Sequence, residues 1–442
     1  MERSGRPCYS DKMISCLRAL VASALALMLV TGTADAQLRG HGGPVRAVAV
    51  SLDGQTAISG SFDTSAIRWS FARNAAEQVL RFHDSAVNAV AIINAERQAT
   101  GGEDGRIAIW RSGNPVPEQV FEGHTAPVAA LAVSPDGKTL ASASWDRTVR
   151  LWPQSGGDPV VLNGHNQNVN DVAFTADGKA VVSASYDATL RIWSLDNGEP
   201  HVITLPSALN AVAVSPDGEI AAGGASGSVY FIGRDGQPRG ELQVADSPVI
   251  ALAISPDGSL VAAAGIRGSV SIIDRKERLL ARTLVGPGLP VWSVAFFNDN
   301  TTLLTGGTDR LVRRWNARTG DHIGAITAGG QEDPLAAYAG NRGAEVYKAC
   351  VACHTLTPDE GNRAGPTLHG IFGRRIASLP GYNFSPALKQ MDIVWTKETV
   401  SALFEQGPMQ YTPGTKMPEQ RITSVEDRQA LMDFLEKATT PK

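Results

Sequence analysis

Hydrophobic and polar residues alternate along the first three quarters of the chain, in short segments rich in β-branched residues. This period of two predicts β-strands, because successive side chains of a strand point to opposite faces of a sheet. Turns such as Ser134-Pro135-Asp136-Gly137 separate the segments. After about residue 340 the apolar residues recur at helical spacing instead. Residues 341–349 and 425–437 are therefore predicted to form helices.

The strand-rich region repeats itself. Each repeat closes on a large apolar residue, and these residues recur at intervals of 39 to 42 positions, at Trp69, Trp110, Trp152, Trp193, Ile232, Ile273 and Trp315. This period, with short strands and Ser-Pro-Asp-Gly turns, resembles WD repeats, each of which forms a four-stranded antiparallel blade. The resemblance implies an all-β, seven-bladed propeller, which we assign to residues 37–327.

Four repeats carry the same set of polar residues that WD repeats use in the blade interior. The sets are His41, Ser59, Asp63 and Trp69; His83, Thr100, Asp104 and Trp110; His124, Ser142, Asp146 and Trp152; and His165, Ser183, Asp187 and Trp193. We expect each aspartate to orient an imidazole whose other nitrogen meets the hydroxyl. Such residues are structural, so we predict that these histidines bind no metal.

Two segments could supply the outer strand of the seventh blade. Residues 321–327 follow that blade directly, whereas residues 37–40 would close the ring from the N-terminal side. The N-terminal segment is very short, so we predict closure by residues 321–327. Residues 328–339, with two glycines and two acids near their start, would then link the propeller to a domain of residues 340–442.

The segment Cys350-Val351-Ala352-Cys353-His354 is a C-x-x-C-H motif, which captures haem covalently. Each thiol can add to one vinyl group of the porphyrin, and the adjacent histidine is held over the iron. By itself the motif also fits a redox dithiol or half of a zinc site. Met417 follows a Pro-Gly-Thr-Lys turn, at a distance that lets a small domain present a thioether to the other face of the haem.

Further motifs lie between the C-x-x-C-H segment and Met417. They are Gly365-Pro366-Thr367-Leu368-His369-Gly370, Phe372-Gly373-Arg374, Gly381-Tyr382-Asn383-Phe384-Ser385 and Trp395. In that order they resemble class I cytochrome c of the mitochondrial type, an all-α domain.

The resemblance to cytochrome c implies one covalently bound haem c, with His354 and Met417 as the two iron ligands. It also implies that the Pro366 carbonyl accepts a hydrogen bond from the His354 ring. Arg374 and Trp395 correspond to residues that lie near the haem propionates.

The N-terminal segment resembles a secretory signal peptide. Four basic residues precede an apolar stretch, residues 19–30, and the small-residue motif Ala34-Asp35-Ala36. We predict that residues 1–36 are cleaved and that the mature chain begins at Gln37. An uncleaved anchor is the alternative, but the apolar stretch is short for a bilayer span. Because haem is attached covalently outside the cytoplasm, we expect a periplasmic protein that is not stably inserted in the membrane.

These features predict an electron carrier rather than a catalyst. The formal net charge of −4 gives no support for nucleic acid as a partner. We therefore expect an exported c-type cytochrome whose propeller is a docking scaffold for a redox protein partner. The alternative is a periplasmic oxidoreductase in which a catalytic propeller passes electrons to the haem c domain. That architecture requires a second cofactor at the propeller axis.

Overall fold

The computed structural model describes residues 37–196, 198–286, 288–323, 335–351, 353–357, 363–417 and 420–440. Within these ranges, 28 strands form seven four-stranded sheets, and short helices follow them. This arrangement confirms the predicted fold class, a seven-bladed β-propeller followed by an all-α domain. The predicted signal peptide and most of the predicted linker lie outside the described residues.

The strands are β1 Gln37–Arg39, β2 Val45–Val50, β3 Thr56–Ser61, β4 Ser65–Ser70, β5 Ala75–Arg81, β6 Val87–Ile92, β7 Arg97–Gly102, β8 Ile107–Arg111, β9 Gln119–Phe121, β10 Val128–Val133, β11 Thr139–Ser144, β12 Val149–Pro153, β13 Val160–Leu162, β14 Val169–Phe174, β15 Ala180–Ser185, β16 Thr189–Ser194, β17 His201–Thr204, β18 Leu209–Val214, β19 Ile220–Gly224, β20 Ser228–Ile232, β21 Pro238–Gln243, β22 Val249–Ile254, β23 Leu260–Gly265, β24 Ser269–Asp274, β25 Leu279–Val285, β26 Val291–Phe296, β27 Thr302–Gly307 and β28 Leu311–Asn316. Strands β2–β5 form the first blade, and the groups of four from β6 to β25 form the second to sixth blades. The seventh blade consists of β26, β27, β28 and β1. The first strand of every blade lines a central cavity of about 480 Å³.

In the third, fifth and sixth blades, the turn between the first two strands is built from the Ser-Pro-Asp-Gly motif. In the third blade, the Ser134 hydroxyl donates to Asp136 at 2.7 Å and accepts from the backbone N–H of Thr139 at 2.9 Å. Gly137 adopts a positive φ of 71°, which glycine tolerates without steric cost. The motif therefore fixes the position at which β10 reverses into β11.

The polar sets have the predicted geometry. His124 Nδ1 lies 2.7 Å from Asp146 Oδ2, and its Nε2 lies 2.7 Å from Ser142 Oγ. The indole N–H of Trp152 donates to the same hydroxyl at 2.8 Å. The first, second and fourth blades repeat this arrangement, with corresponding distances of 2.7 to 3.0 Å. These bonds satisfy polar groups that are buried inside the blades.

The seventh blade is closed by the N-terminal strand, so the predicted closure by residues 321–327 is wrong. Strand β1 pairs antiparallel with β28, with Leu38 opposite Val312. On the C-terminal side, His322 makes an isolated bridge to Trp315, and residues 324–327 lie outside the described part. Leu38 explains the outcome, because it is 1% exposed and packs with Trp69 and Val312 in one apolar cluster.

The C-terminal domain has five α-helices in the described ranges. They are α1 Arg342–Tyr347, α2 Pro386–Lys389, α3 Lys397–Gln406, α4 Pro408–Tyr411 and α5 Val425–Thr439, preceded by a 3₁₀ turn at Ala336–Tyr338. Asn341 caps α1 by accepting a hydrogen bond from the N–H of Ala344, and Ser424 caps α5 by accepting from that of Asp427. Both caps fix where the predicted helices start.

Helices α1 and α5 pack directly against each other. A Cβ atom on Gly343 would lie 2.0 Å from the carbonyl oxygen of Ala430, so only glycine permits this approach. Tyr347, Leu431 and Phe434, each no more than 2% exposed, fill the core beside the crossing. The segment that follows α1 is thereby held over the domain interior.

Candidate haem-binding site

All seven predicted site residues belong to the helical domain and line one cavity of about 310 Å³. They are Cys350, Cys353, His354, Pro366, Arg374, Trp395 and Met417. The cavity lies against the hydrophobic core of the domain, since Tyr347 and Leu431 contribute to both. Residues far apart in the sequence thus meet around one space.

The C-x-x-C-H segment forms a turn directly after α1. The N–H groups of Cys353 and His354 both donate to the Cys350 carbonyl at 3.0 Å. Burial, together with the neighbouring Cys353, raises the pKa of the Cys350 thiol to about 12. Burial and the Asp63 charge raise that of Cys353 to about 11. Both thiols are therefore protonated in the folded domain and face the cavity.

The His354 ring is held in one orientation. Its Nδ1 lies 2.8 Å from the Pro366 carbonyl oxygen, the contact expected from the resemblance. Burial lowers the pKa of His354, so the ring is neutral and its single N–H is the one on Nδ1. That tautomer leaves the Nε2 lone pair free for a metal.

Gly365 makes room for the His354 ring. A Cβ atom on this glycine would lie 2.4 Å from Cε1 of the imidazole. Two thiols, a neutral imidazole and a thioether therefore surround an apolar cavity, and this donor set fits a covalently attached haem.

Met417 lies on the cavity wall in the loop that follows α4. Its N–H donates to the Thr415 hydroxyl at 3.1 Å, and Gly414 adopts a positive φ of 80°. Met409, the other methionine near this loop, is 68% exposed and is not among the lining residues. Of these two methionines, Met417 is the one placed for an iron ligand.

Arg374 and Trp395 are joined through their backbones. The Trp395 N–H donates to the Arg374 carbonyl at 2.9 Å. The Arg374 guanidinium donates to the carbonyl oxygens of Thr367 and His369 at 2.8 and 3.2 Å, and burial lowers its pKa. Both side chains reach the cavity, and their contact with haem propionates stays a prediction.

Sequence reasoning missed the part of the cavity that comes from the propeller. Gly42, Phe62, Asp63, Thr64 and Arg81 line it together with the helical domain. No local pattern marks these positions, because Asp63 belongs to a structural polar set and Arg81 is an ordinary residue at the end of β5.

Two kinds of feature are absent from the described ranges. No helix there is long and apolar enough to cross a membrane. No group of three or more His, Cys, Asp or Glu side chains there is arranged to hold a metal ion.

Comparison with known families agrees with both parts of the fold. Residues 340–439 match the cytochrome c family, and residues 32–70 and 75–111 match the WD domain, G-beta repeat. The repeats and the cavity thus define a WD-repeat propeller that carries a cytochrome c domain. Residues 94–333, more than half of the chain, match the family described as IFT122 first beta-propeller, and the chain belongs to that family.

The curated relatives correspond to the helical domain. The chain is 43% identical over 99 residues to cytochrome c from Cochliobolus lunatus and from Arabidopsis thaliana. It is 39% identical over 98 residues to cytochrome c type-1 from Ascaris suum. These matches span 22% of this chain and 91%, 88% and 84% of the three relatives. The domain is a cytochrome c that carries covalently bound haem c and serves as an electron carrier.

Proposed function

We propose that this chain is an exported one-electron carrier with His354 and Met417 as the axial ligands of a single haem c. The propeller is proposed to be the scaffold on which a redox protein partner docks. The main support for the proposal is that both thiols, the imidazole and the thioether line the same cavity.

The side chains around the cavity favour electron transfer over chemistry at the iron. Bound haem supplies one-electron redox chemistry. The neutral His354 ring, fixed by Pro366, and the Met417 thioether would both hold the iron, which would then supply electron transfer rather than bind a substrate. A thioether also favours the reduced state of iron, so we expect a high reduction potential for a haem.

The docking role is supported by aromatic residues on one face of the propeller. Phe62, Trp145 and Tyr186 occupy equivalent places in the first, third and fourth blades, since each N–H donates to the backbone carbonyl of the loop that precedes the blade's first strand. They are 46%, 42% and 51% exposed. Phe62 lines the haem cavity, whereas Trp145 and Tyr186 line the central cavity. A partner held on the aromatic pair would therefore be on the same face as the haem domain.

The export proposal is supported by the order of charges and apolar residues in residues 1–36. Gln37, the proposed first residue after cleavage, is already part of β1. Intact mass and N-terminal sequencing of protein from the periplasmic fraction will test this. A mature chain that begins at Gln37 supports export, whereas an intact residue 1 in the cytoplasmic fraction contradicts it.

Cofactor analysis separates the carrier from the alternative oxidoreductase. The purified full-length protein should contain one haem and one iron per chain and titrate as a single one-electron centre. A second redox metal or an organic cofactor, together with reduction of the haem by a small substrate, would favour a catalytic propeller.

The docking role can be tested with paired substitutions on the propeller. Replacing Trp145 and Tyr186 together with serine should slow electron exchange with membranes of the producing cells, by roughly tenfold or more. The matched control replaces Leu279 and Leu280, which are 62% and 48% exposed on the outer strand β25. Equal rates for the two double variants would show that the aromatic pair is not the docking surface.

A further inference from the structure

The haem cavity is closed on one side by the propeller. The N–H of Ala364, next to the glycine beneath His354, donates to the Gly40 carbonyl at 2.8 Å. The Asn383 side chain donates to the carbonyl of Arg81 at 3.1 Å. Lys416, the residue before Met417, lies 3.4 Å from the Asp84 carboxylate. Three separate segments of the helical domain thus contact the propeller between residues 40 and 84.

Gly42 brings the propeller backbone against a haem-binding thiol. A Cβ atom on this glycine would lie 2.3 Å from the sulfur of Cys353, so no larger residue fits without movement. The Gly42 N–H donates to Asp63 at 2.7 Å, and Asp63 is also bonded to His41 at 3.0 Å. The contact is therefore fixed by the rigid polar set of the first blade.

Arg81 contributes a cation to the same wall. Its guanidinium carbon lies 5.3 Å from the centre of the Tyr382 ring, and both residues line the cavity. Its Nε is buried and has no hydrogen-bond partner among the described residues. Arg81 as a whole is half-buried, but a buried donor without a hydrogen-bond partner is costly. Asp63, on the same cavity wall, is bonded to His41 and Gly42, and the charges of His41 and Arg81 outweigh burial and lower the pKa of its carboxyl.

We infer that the propeller completes the haem site, with Gly42 packed on the Cys353 sulfur and Arg81 as a positioning residue that sets the reduction potential. Excluding water from the haem edge and placing a positive charge beside it both favour the reduced, less positively charged iron. The propeller therefore raises the potential and restricts access of small molecules to that edge. This role does not require a partner to dock on the propeller.

The charge can be tested in the haem-loaded, full-length protein by redox titration. Arg81→Met should shift the midpoint potential downward, and Arg81→Lys should restore most of the shift. The matched control is Arg239→Met, which removes an exposed arginine of β21 that is paired with Asp235. If Arg81→Met and the control have the wild-type potential, Arg81 does not act on the haem.

The packing contact can be tested with a wedge at Gly42. Gly42→Leu should lower the potential and speed reduction by ascorbate several-fold, because the wall is forced away from Cys353. Gly198→Leu is the control, since a Cβ atom there meets only the Ser194 Cβ at 3.6 Å. Loss of the Cys353 thioether bond in Gly42→Leu also supports the contact. If a fully haem-loaded Gly42→Leu protein keeps the wild-type potential and reduction rate, the propeller does not shield the haem edge.

The two proposals fail in different measurements. Docking variants on Trp145 and Tyr186 should change the rate with membranes and leave the potential unchanged. Variants of Gly42 and Arg81 should change the potential itself, whether or not a membrane partner is present.

Discussion

Met417 and Met409 are eight positions apart in the sequence and have different surroundings. Met417 lines the haem cavity, whereas Met409 is 68% exposed. The spacing of motifs was enough to predict this choice, because the Pro-Gly-Thr-Lys turn before Met417 matches a loop found in a known family. The propionate contacts of Arg374 and Trp395 are less accessible to sequence reasoning, because they depend on side-chain orientation.

Met417→Ala should remove the weak sulfur-to-iron absorption band of the oxidised protein and lower its potential. The loss of a soft thioether ligand destabilises reduced iron, while Cys350, Cys353 and His354 would still hold the haem. The measurements are the absorption spectrum and a redox titration. Met409→Ala is the control, and a band that survives in Met417→Ala would assign the ligand to another residue.

Asp146→Ala should destabilise the propeller by about 1–3 kcal/mol, because His124 and the backbone N–H of Thr148 lose their acceptor inside the blade. Urea unfolding gives the change in free energy. Asp158 is exposed, so Asp158→Ala should change it by less than about 0.5 kcal/mol. The haem potential should stay at the wild-type value in both variants, and a large shift would contradict a structural role.

The polar sets should also make the propeller sensitive to acid. Burial acts to raise the pKa of Asp187, but hydrogen bonds from Thr189, Asn166 and His165 outweigh it and hold the pKa at about 2. A depressed carboxyl pKa stabilises the fold above the unfolded value near 4, and this contribution is lost as pH falls towards 2. Burial lowers the pKa of His165, so below about pH 6.5 the unfolded chain takes up that proton more readily than the folded chain does.

Both groups therefore predict that the free energy of unfolding falls as pH decreases from 7 to 3. Asp187→Asn should flatten the pH dependence of the free energy of unfolding below about pH 4. Asp246→Asn, at an exposed position, should leave that dependence unchanged. Urea titrations at a series of pH values will show this, and identical slopes for wild type and Asp187→Asn would rule out the linkage.

At the scale of elements, the repeat period predicts the blades well because each blade carries its own signals. The turn around Gly137 and the set around Asp146 are complete within one repeat. Ring closure is different, since it pairs segments at opposite ends of the propeller. Strand β1 has only three residues, which is too short for an alternation to stand out from the surrounding sequence.

Leu38→Ala tests the closing strand. Leu38 is 1% exposed, so its truncation leaves a cavity between the first and seventh blades and should cost about 2–5 kcal/mol. Leu52, in a turn of the first blade, is 85% exposed, and Leu52→Ala should have little effect. Chemical unfolding gives the free energy of unfolding of both variants. Equal values would mean that β1 does not stabilise the closed ring.

At the scale of the whole molecule, the contact between the two domains has no signal in the sequence. Gly42 is one of many glycines, and Arg81 is one cation among many. Only the folded arrangement brings them beside Cys353, because the loop after β1 and the end of β5 both face the helical domain. The cavity-lining positions of Cys350, Cys353, His354 and Met417 could be predicted from local motifs, whereas this wall of the cavity could not.

The haem domain alone, residues 340–442, provides a test at this scale. We expect it to fold, because the curated relatives consist almost entirely of the matching region. Without the propeller it should have a lower potential and react faster with ascorbate, but more slowly with membranes of the producing cells. Stopped-flow rates and redox titrations of both forms give the answer. Identical values in every assay would leave the propeller without a role in electron transfer.

The closing strand has a consequence for how the protein folds. Strand β1 can pair only after β28, the last strand of the ring, has formed. Contacts between residues so far apart in the sequence form slowly, because closing the long loop costs conformational entropy before the contact is gained. Until then β28 presents a free edge that β1 of a second copy could occupy, so exchanged dimers are expected when refolding is concentrated. Gly40, directly after β1, holds Ala364 of the haem domain. A chain whose ring is open therefore also lacks part of the surface that its cytochrome domain contacts.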